Sequence, residues 1–250
     1  PPLVDAATCP DADADGFPDA WSCPSTPVDR GDCDDHDASV TPATERFVGA
    51  GPFLMGSAST ESGGDERPVH SVMLSGYCIE VAEHADDSGR PLEGITWEQA
   101  RPTCEAAGLR LPTEAEWEKA ARGGCELGAD PSRCDPEDLR AYPWGNGEAP
   151  ACTNSNHQAF GASGPSLCEA RAHPATEAKN ISPYGLRDMS GNVWEYVADW
   201  YHMRLYGAAA ARLDPLGPRT GTQHVLRGGG WNTFSTNMRV SNRFVSVVAG

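Results

Sequence analysis

The chain has 250 residues, 39% of them hydrophobic, enough for one large domain with a buried core; collagen, coiled-coil and wholly disordered classes are excluded. Asp and Glu number 36 against 19 Lys and Arg, and the net charge of −17 repels phosphate backbones and anionic membranes, so nucleic acid is excluded as a partner and cations are favoured. No apolar run reaches the roughly 18 residues needed to span a bilayer, and no charged-then-apolar leader stands before Pro1, which reads as a processed or trimmed chain.

Eleven acidic residues fall within positions 1–45, opposed there only by Arg30, and this composition shift predicts an acidic calcium-binding segment over 1–45 and a main domain over 46–250. Within the segment, Asp11, Asp13 and Asp15 alternate and are followed by Gly16, Phe17 and Asp19. That spacing suits a loop wrapping oxygens around a hard cation, with the Phe17 carbonyl among them. Position twelve of the loop is Ser22 where an EF-hand has Glu, so Asp32, Asp34, Asp35 and Asp37 are the candidates to complete the shell. The stretch TCPDADADGFPDAWSCP resembles thrombospondin type 3 calcium repeats; a solvated acidic linker is the alternative.

Nine cysteines without paired CxxC spacing point to disulfides and an extracellular, secreted or cell-surface setting. Proximity in sequence favours Cys23–Cys33, Cys125–Cys134 and Cys152–Cys168, then Cys78–Cys104; the odd count leaves one cysteine free or paired elsewhere.

From Phe47 onward, short apolar runs are broken by Gly and Pro. Strands are expected at Phe53–Met55, Val69–Leu74, Val193–Val197 and His224–Arg227. A helix capped by Thr96 runs to about Ala107, with Gly108 ending it and Pro102 disturbing it. A second has Thr113 and Glu116 as a capping box and Trp117, Ala120 and Ala121 as its apolar face, and stops at Gly123. Trp97, Trp117, Trp144, Trp194, Trp200 and Trp231 supply core volume to a domain with little regular structure. Asn180-Ile181-Ser182 is a glycosylation sequon, weakened by the following proline.

Six segments in order, FVGAGPFLMGS (47–57), DERPVHSVML (65–74), ITWEQARPTCEAAGLRLPTEAEWEKAARGG (95–124), YPWGN (142–146), SPYGLRDMSGNVWEYVADWY (182–201) and VLRGGGWNTFSTNMRVSNRF (225–244), resemble the formylglycine-generating enzyme (sulfatase-modifying factor) family. The resemblance implies an α+β, loop-rich C-type-lectin-like fold with few helices and short antiparallel strands. It also implies a calcium site at Asp188, Gly191, Val193 and Glu195, where two carboxylates bracket a tight turn, and a second near Asn154 and Asn156 whose acidic ligand has no match here.

The family's oxidases bind copper(I) through two cysteines after the GGS turn and convert a substrate cysteine to formylglycine, chemistry suited to soft thiolates. Here Gly228-Gly229-Gly230-Trp231 is followed by Thr233 where the first thiol is expected, Met238 is the one sulfur beyond it, and no cysteine occurs after Cys168. Formylglycine generation is therefore rejected. The histidines show no i,i+4 pair, and the extra helical domain of the iron-dependent sulfoxide synthases of this fold is absent.

The expected function is a secreted, calcium-stabilised, non-catalytic binding or structural module. Its partners would be copies of itself in a homo-oligomer or fibre, or another extracellular protein or glycan. The closing strand the family places after SNRF is missing before Val247–Gly250, which would leave an edge for a partner or reflect truncation. The competing reading is an oxidase or oxygenase with an altered metal site in a cleft lined by Trp231, Asn232 and Arg239.

Overall fold

The computed structural model describes residues 12–13, 33, 41, 43–60, 62–128, 130, 133–135, 138–161, 164–207 and 213–246. Two antiparallel pairs open the main domain, and in the second of them buried apolar residues alternate with more exposed ones. Strand β1 (Glu45–Val48) lies along β4 (Tyr77–Glu80), and β2 (Gly51–Met55) along β3 (His70–Leu74), with Phe53 opposite Val72. A hairpin of β5 (Gln158–Gly161) and β6 (Gly164–Leu167) follows, and β7 (Glu195–Trp200), β8 (His224–Arg227) and β9 (Phe244–Val245) form a three-stranded sheet in that order. Every strand pair is antiparallel and short, as the α+β, loop-rich reading requires.

Helix α1 (Trp97–Ala106) begins at Thr96, whose N–H donates to Gln99 Oε1 at 2.9 Å, and ends where Gly108 takes φ 77°. Helix α2 (Glu114–Arg122) carries the reciprocal box: Glu116 N–H donates to Thr113 Oγ1 at 3.2 Å and Thr113 N–H to Glu116 Oε2 at 2.7 Å. Trp117, Ala120 and Ala121 pack into the core with Phe53, Leu74, Tyr184, Leu186, Val197 and Val225. The polar face of α2 is buried too: Glu114, Glu118, Lys119 and Arg122 are at most 2% exposed. Loops wrap the helix, and the charges survive burial because each is paired. Arg243 bonds Glu114 at 2.7 and 2.9 Å, Arg122 bonds Glu118 at 2.8 Å, and Arg227 also bonds Glu118.

Cys125–Cys134 and Cys152–Cys168 form as expected, with Cα separations of 4.7 and 5.1 Å. Two expected pairs do not. Cys33 bonds Cys78, 45 residues away, which rules out Cys23–Cys33, and Cys104 is a free, half-buried thiol, which rules out Cys78–Cys104. Sequence proximity misled because β4, absent from the expected strands, turns Cys78 toward Cys33 and Glu45, whose ligand atoms all lie within 4.8 Å of one another.

Candidate metal centre and cleft

The Asp188–Glu195 segment folds as a tight loop before β7, with Asp188, Gly191 and Asn192 in left-handed conformations at φ 53°, 96° and 65°. Gly191 is required there, since a Cβ would stand 2.6 Å from the Asn156 carbonyl oxygen. Gly191 N–H donates to Gly228 O and Asn192 N–H to Asn156 O, both at 2.9 Å, so the loop is sewn to the segments on either side.

Glu195 Oε2 accepts from Trp117 Nε1 at 2.9 Å, whereas Oε1 is buried and meets no hydrogen-bond partner among the described residues. Burial first, and then the charges of Asp188 and Glu80, push the Glu195 carboxyl up to about 7. Gly228, at φ 86°, leaves a bare spot beside it: a Cβ there would be 3.3 Å from Glu195 Oε1 and 3.7 Å from the Val193 carbonyl oxygen. Glu83, which the sequence reading missed, joins this cluster. Its Oε1 accepts from Asn192 Nδ2 at 3.1 Å and its Oε2 is buried without a partner. Burial and the charges of Glu195 and Asp188 raise its carboxyl well above the ordinary range.

A buried, unpartnered carboxylate oxygen and a carbonyl beside a glycine, with one unpartnered oxygen of a second carboxylate in the same cluster, fit a hard divalent cation. Asp188 fits less well. Its Oδ2 faces His173 Nε2 at 2.9 Å and its Oδ1 accepts from Lys179 N–H at 3.0 Å and Asn180 Nδ2 at 3.3 Å, so both oxygens are engaged. His173, like Glu83, has no spacing signal in the sequence; it reaches Asp188 only through the loop fold.

Asn154 caps a turn through Ala151 N–H at 2.8 Å, while Asn156 donates to Arg171 O at 3.0 Å and leaves its buried Oδ1 without a partner. Asn180 is 3% exposed and its Nδ2 is spent on Asp188 and on Ser190 O at 2.9 Å, a geometry with no room for a glycan. The sequon expectation is corrected accordingly. Of the acidic-segment ligands only Asp13 is among the described residues; Asp11, Asp15, Phe17, Asp19, Asp32, Asp34, Asp35 and Asp37 lie outside them.

A cleft of about 870 Å³ opens beside this centre, with Trp194, Trp231, Asn232, Glu83, Glu93 and Cys104 among its lining. Trp231 Nε1 donates to Glu93 Oε2 at 2.8 Å, fixing the indole. Arg239 does not join it: a 3-10 turn over Ser235–Met238 sends it to Glu66, 2.6 Å away, so that part of the expected cleft is corrected. Thr233 closes its own turn, its Oγ1 accepting from Gly230 N–H at 2.9 Å. Met238 is fully buried, its sulfur accepting from Ser155 Oγ at 3.3 Å. Among the described residues the one group of three or more His, Cys, Asp and Glu with mutually close ligand atoms is Cys33, Glu45 and Cys78, and its two sulfurs form a disulfide.

Residues 81–247 match the family described as sulfatase-modifying factor enzyme 1-like domain. The formylglycine-generating enzyme of Thermomonospora curvata is 30% identical over 216 residues, covering 83% of this chain and 63% of that protein. The inactive C-alpha-formylglycine-generating enzyme 2 of Bos taurus is 35% identical over 144 residues, 56% of this chain and 38% of that protein. The chain thus spans less than two thirds of the length of either relative. Among solved structures, Treponema denticola variable protein 1 aligns with a TM-score of 0.61 at 22% identity, over 81% of this chain and 88% of that one, a likeness of fold. The family match over most of the chain and the shared loop-rich architecture place this chain in the sulfatase-modifying factor enzyme 1-like family, to which formylglycine-generating enzymes are its relatives.

Proposed function

We propose that this domain is a secreted, calcium-stabilised, non-catalytic binding module that has kept the family's frame and uses the cleft beside Trp231 to hold a ligand or partner. The observation carrying this reading is the replacement of the thiol pair. The turn after Gly230 holds a Thr233 hydroxyl bonded back to Gly230, and the sulfur that follows is a buried Met238 thioether. Neither can form a two-thiolate copper(I) centre. That the family includes a relative named as inactive is consistent with this.

Calcium would be held by Glu195 Oε1 and the Val193 carbonyl, with Glu83 close by, and would supply the positive charge these buried carboxylates lack. Disulfides and calcium suit an extracellular setting, where the module could serve singly or as the repeating subunit of a fibre. Calorimetric titration of chelator-treated protein with calcium is expected to show saturable binding that Glu195→Gln weakens at least tenfold. Titrations without heat, or identical in the variant, would overturn the calcium assignment. Light scattering at high calcium tests the fibre reading, which a strictly monomeric particle would refute.

A further inference from the structure

The cleft beside Trp231 carries more negative charge than one calcium ion answers. Six glutamates line it, Glu45, Glu80, Glu83, Glu93, Glu116 and Glu195, and Arg110 is the one Lys or Arg residue in the lining. Arg110 is already taken, its two terminal nitrogens donating to the two oxygens of Glu116 at 2.7 Å each. Glu83 Oε2 and Glu195 Oε1 are buried without a hydrogen-bond partner, and calcium would answer those two. Glu93 Oε2 accepts from the neutral indole of Trp231, which fixes the carboxylate without cancelling its charge. Glu80, whose Oε1 faces His84 Nδ1 at 2.8 Å, stands directly opposite Glu45 across the β4–β1 pair. Like charges so opposed repel each other, and both line the cavity.

We propose that the ligand of this cleft is a small organic cation, a primary ammonium on an apolar body, with the ammonium held between Glu45 and Glu80. The proposal rests on the reading of the cleft as the module's binding site and names the chemistry that fills it. A volume of about 870 Å³ is in the range that encloses a whole small molecule. An ammonium has three N–H donors and no acceptor, which matches a pair of carboxylates. Leu92, Ile95, Leu109 and Trp231 share the lining and would cover a hydrocarbon or aromatic body.

The same lining disfavours other occupants. An anion would be repelled by the carboxylates, and by a chain of net charge −17 as it approached. A second hard metal ion needs several oxygens converging on one point. Among the described residues the one compact group of three ligating side chains, Cys33, Glu45 and Cys78, has both sulfurs in a disulfide. A neutral apolar molecule would strip water from the carboxylates and offer them no hydrogen bond. A charged donor on the same body restores that bond in its stronger, charge-assisted form, a gain of about tenfold or more in affinity over the neutral analogue.

The test is calorimetric titration of the full chain with three probes that share one body, 2-phenylethylammonium, 2-phenylethanol and phenylacetate, in saturating calcium and again after chelation. The ammonium is expected to bind about tenfold or more tightly than the alcohol, and phenylacetate not to bind. Calcium should leave the ammonium's affinity within about twofold, because Glu45 and Glu80 are not the calcium donors. Glu80→Gln should weaken the ammonium about tenfold and leave the alcohol unchanged, with a melting temperature that does not fall, since a like-charge opposition is removed. Equal binding of ammonium and alcohol would overturn the cation assignment while sparing the cleft as a binding site. No binding of any probe would overturn both readings. Ammonium binding abolished by calcium, or undiminished in Glu80→Gln, would put the charge elsewhere and overturn the proposal.

Discussion

Glu118 on α2 is where a single neutralisation should cost most. It is fully buried; Oε1 accepts from Gly56 N–H at 2.7 Å and from Arg122 at 2.8 Å, and Oε2 accepts from Arg227. Arg227, also fully buried, has Glu114 as its other carboxylate, 3.4 Å away, and Glu114 already serves Arg243. Glu118→Gln keeps the shape but leaves two guanidinium groups facing an amide. Breaking a buried pair in this way costs about 3–5 kcal/mol, a large share of the roughly 5–15 kcal/mol that holds a domain together. In urea, with a slope of about 2–3 kcal/mol/M, the unfolding midpoint should fall by roughly 1–2 M at unchanged slope. Arg101→Ala is the control. It breaks the Arg101–Glu105 pair, whose side chains are 56% and 52% exposed, and should move stability by less than about 1 kcal/mol. A Glu118→Gln midpoint as little shifted as that of the control would refute the argument that this network holds α2 in place.

Further outcomes follow from other sites. Asp199 caps α2 through Glu114 N–H at 2.7 Å, and burial together with the Glu114 charge pushes its carboxyl up to about 7 from 3.8. The folded chain thus binds this proton more tightly than the unfolded one. Its contribution is greatest at low pH and is lost as pH rises through 7, on the order of 4 kcal/mol in all, and Asp199→Asn should flatten that part of the stability profile between pH 4 and pH 7. An unchanged profile would contradict the shift. Gly228→Ala places a Cβ in the left-handed region against Glu195, so it should destabilise by about 1–2 kcal/mol and abolish the rise in melting temperature with calcium that the proposed site predicts for the unaltered chain; equal calcium responses in the two proteins would contradict the proposed cradle. Met238→Ala empties a fully buried site and should cost about 2–5 kcal/mol in chemical denaturation; a neutral result would mean that Met238 is not a structural replacement.

Much of the frame was legible because its signals are local. The N-cap at Thr96, the capping box at Thr113, the stops at Gly108 and Gly123 and the short apolar runs of β2, β3 and β8 depend on residues close in sequence. Strands β1 and β4 escaped because their faces mix Glu, Arg and Cys with apolar residues, so neither shows a clean apolar run. Cys33–Cys78 was hidden too, since a disulfide across 45 residues reports a proximity in space that spacing along the chain does not carry. At the candidate site, Gly191 and Glu195 were named through the resemblance carried by GNVWE, whereas Gly228 was not. Glu83 and His173 were not: each gains its meaning from Asn192 and Asp188 folding back on it.

The loss of the thiol pair is tested most directly by turnover. The Cys104→Ser protein, which removes the one free thiol among the described residues, is incubated with copper(I), oxygen and a cysteine-bearing peptide, and the peptide is read by mass spectrometry beside the copper content of the repurified protein. Unmodified peptide and copper well below one equivalent per chain are expected. Formylglycine in the peptide, with one tightly held copper per chain, would contradict the non-catalytic reading.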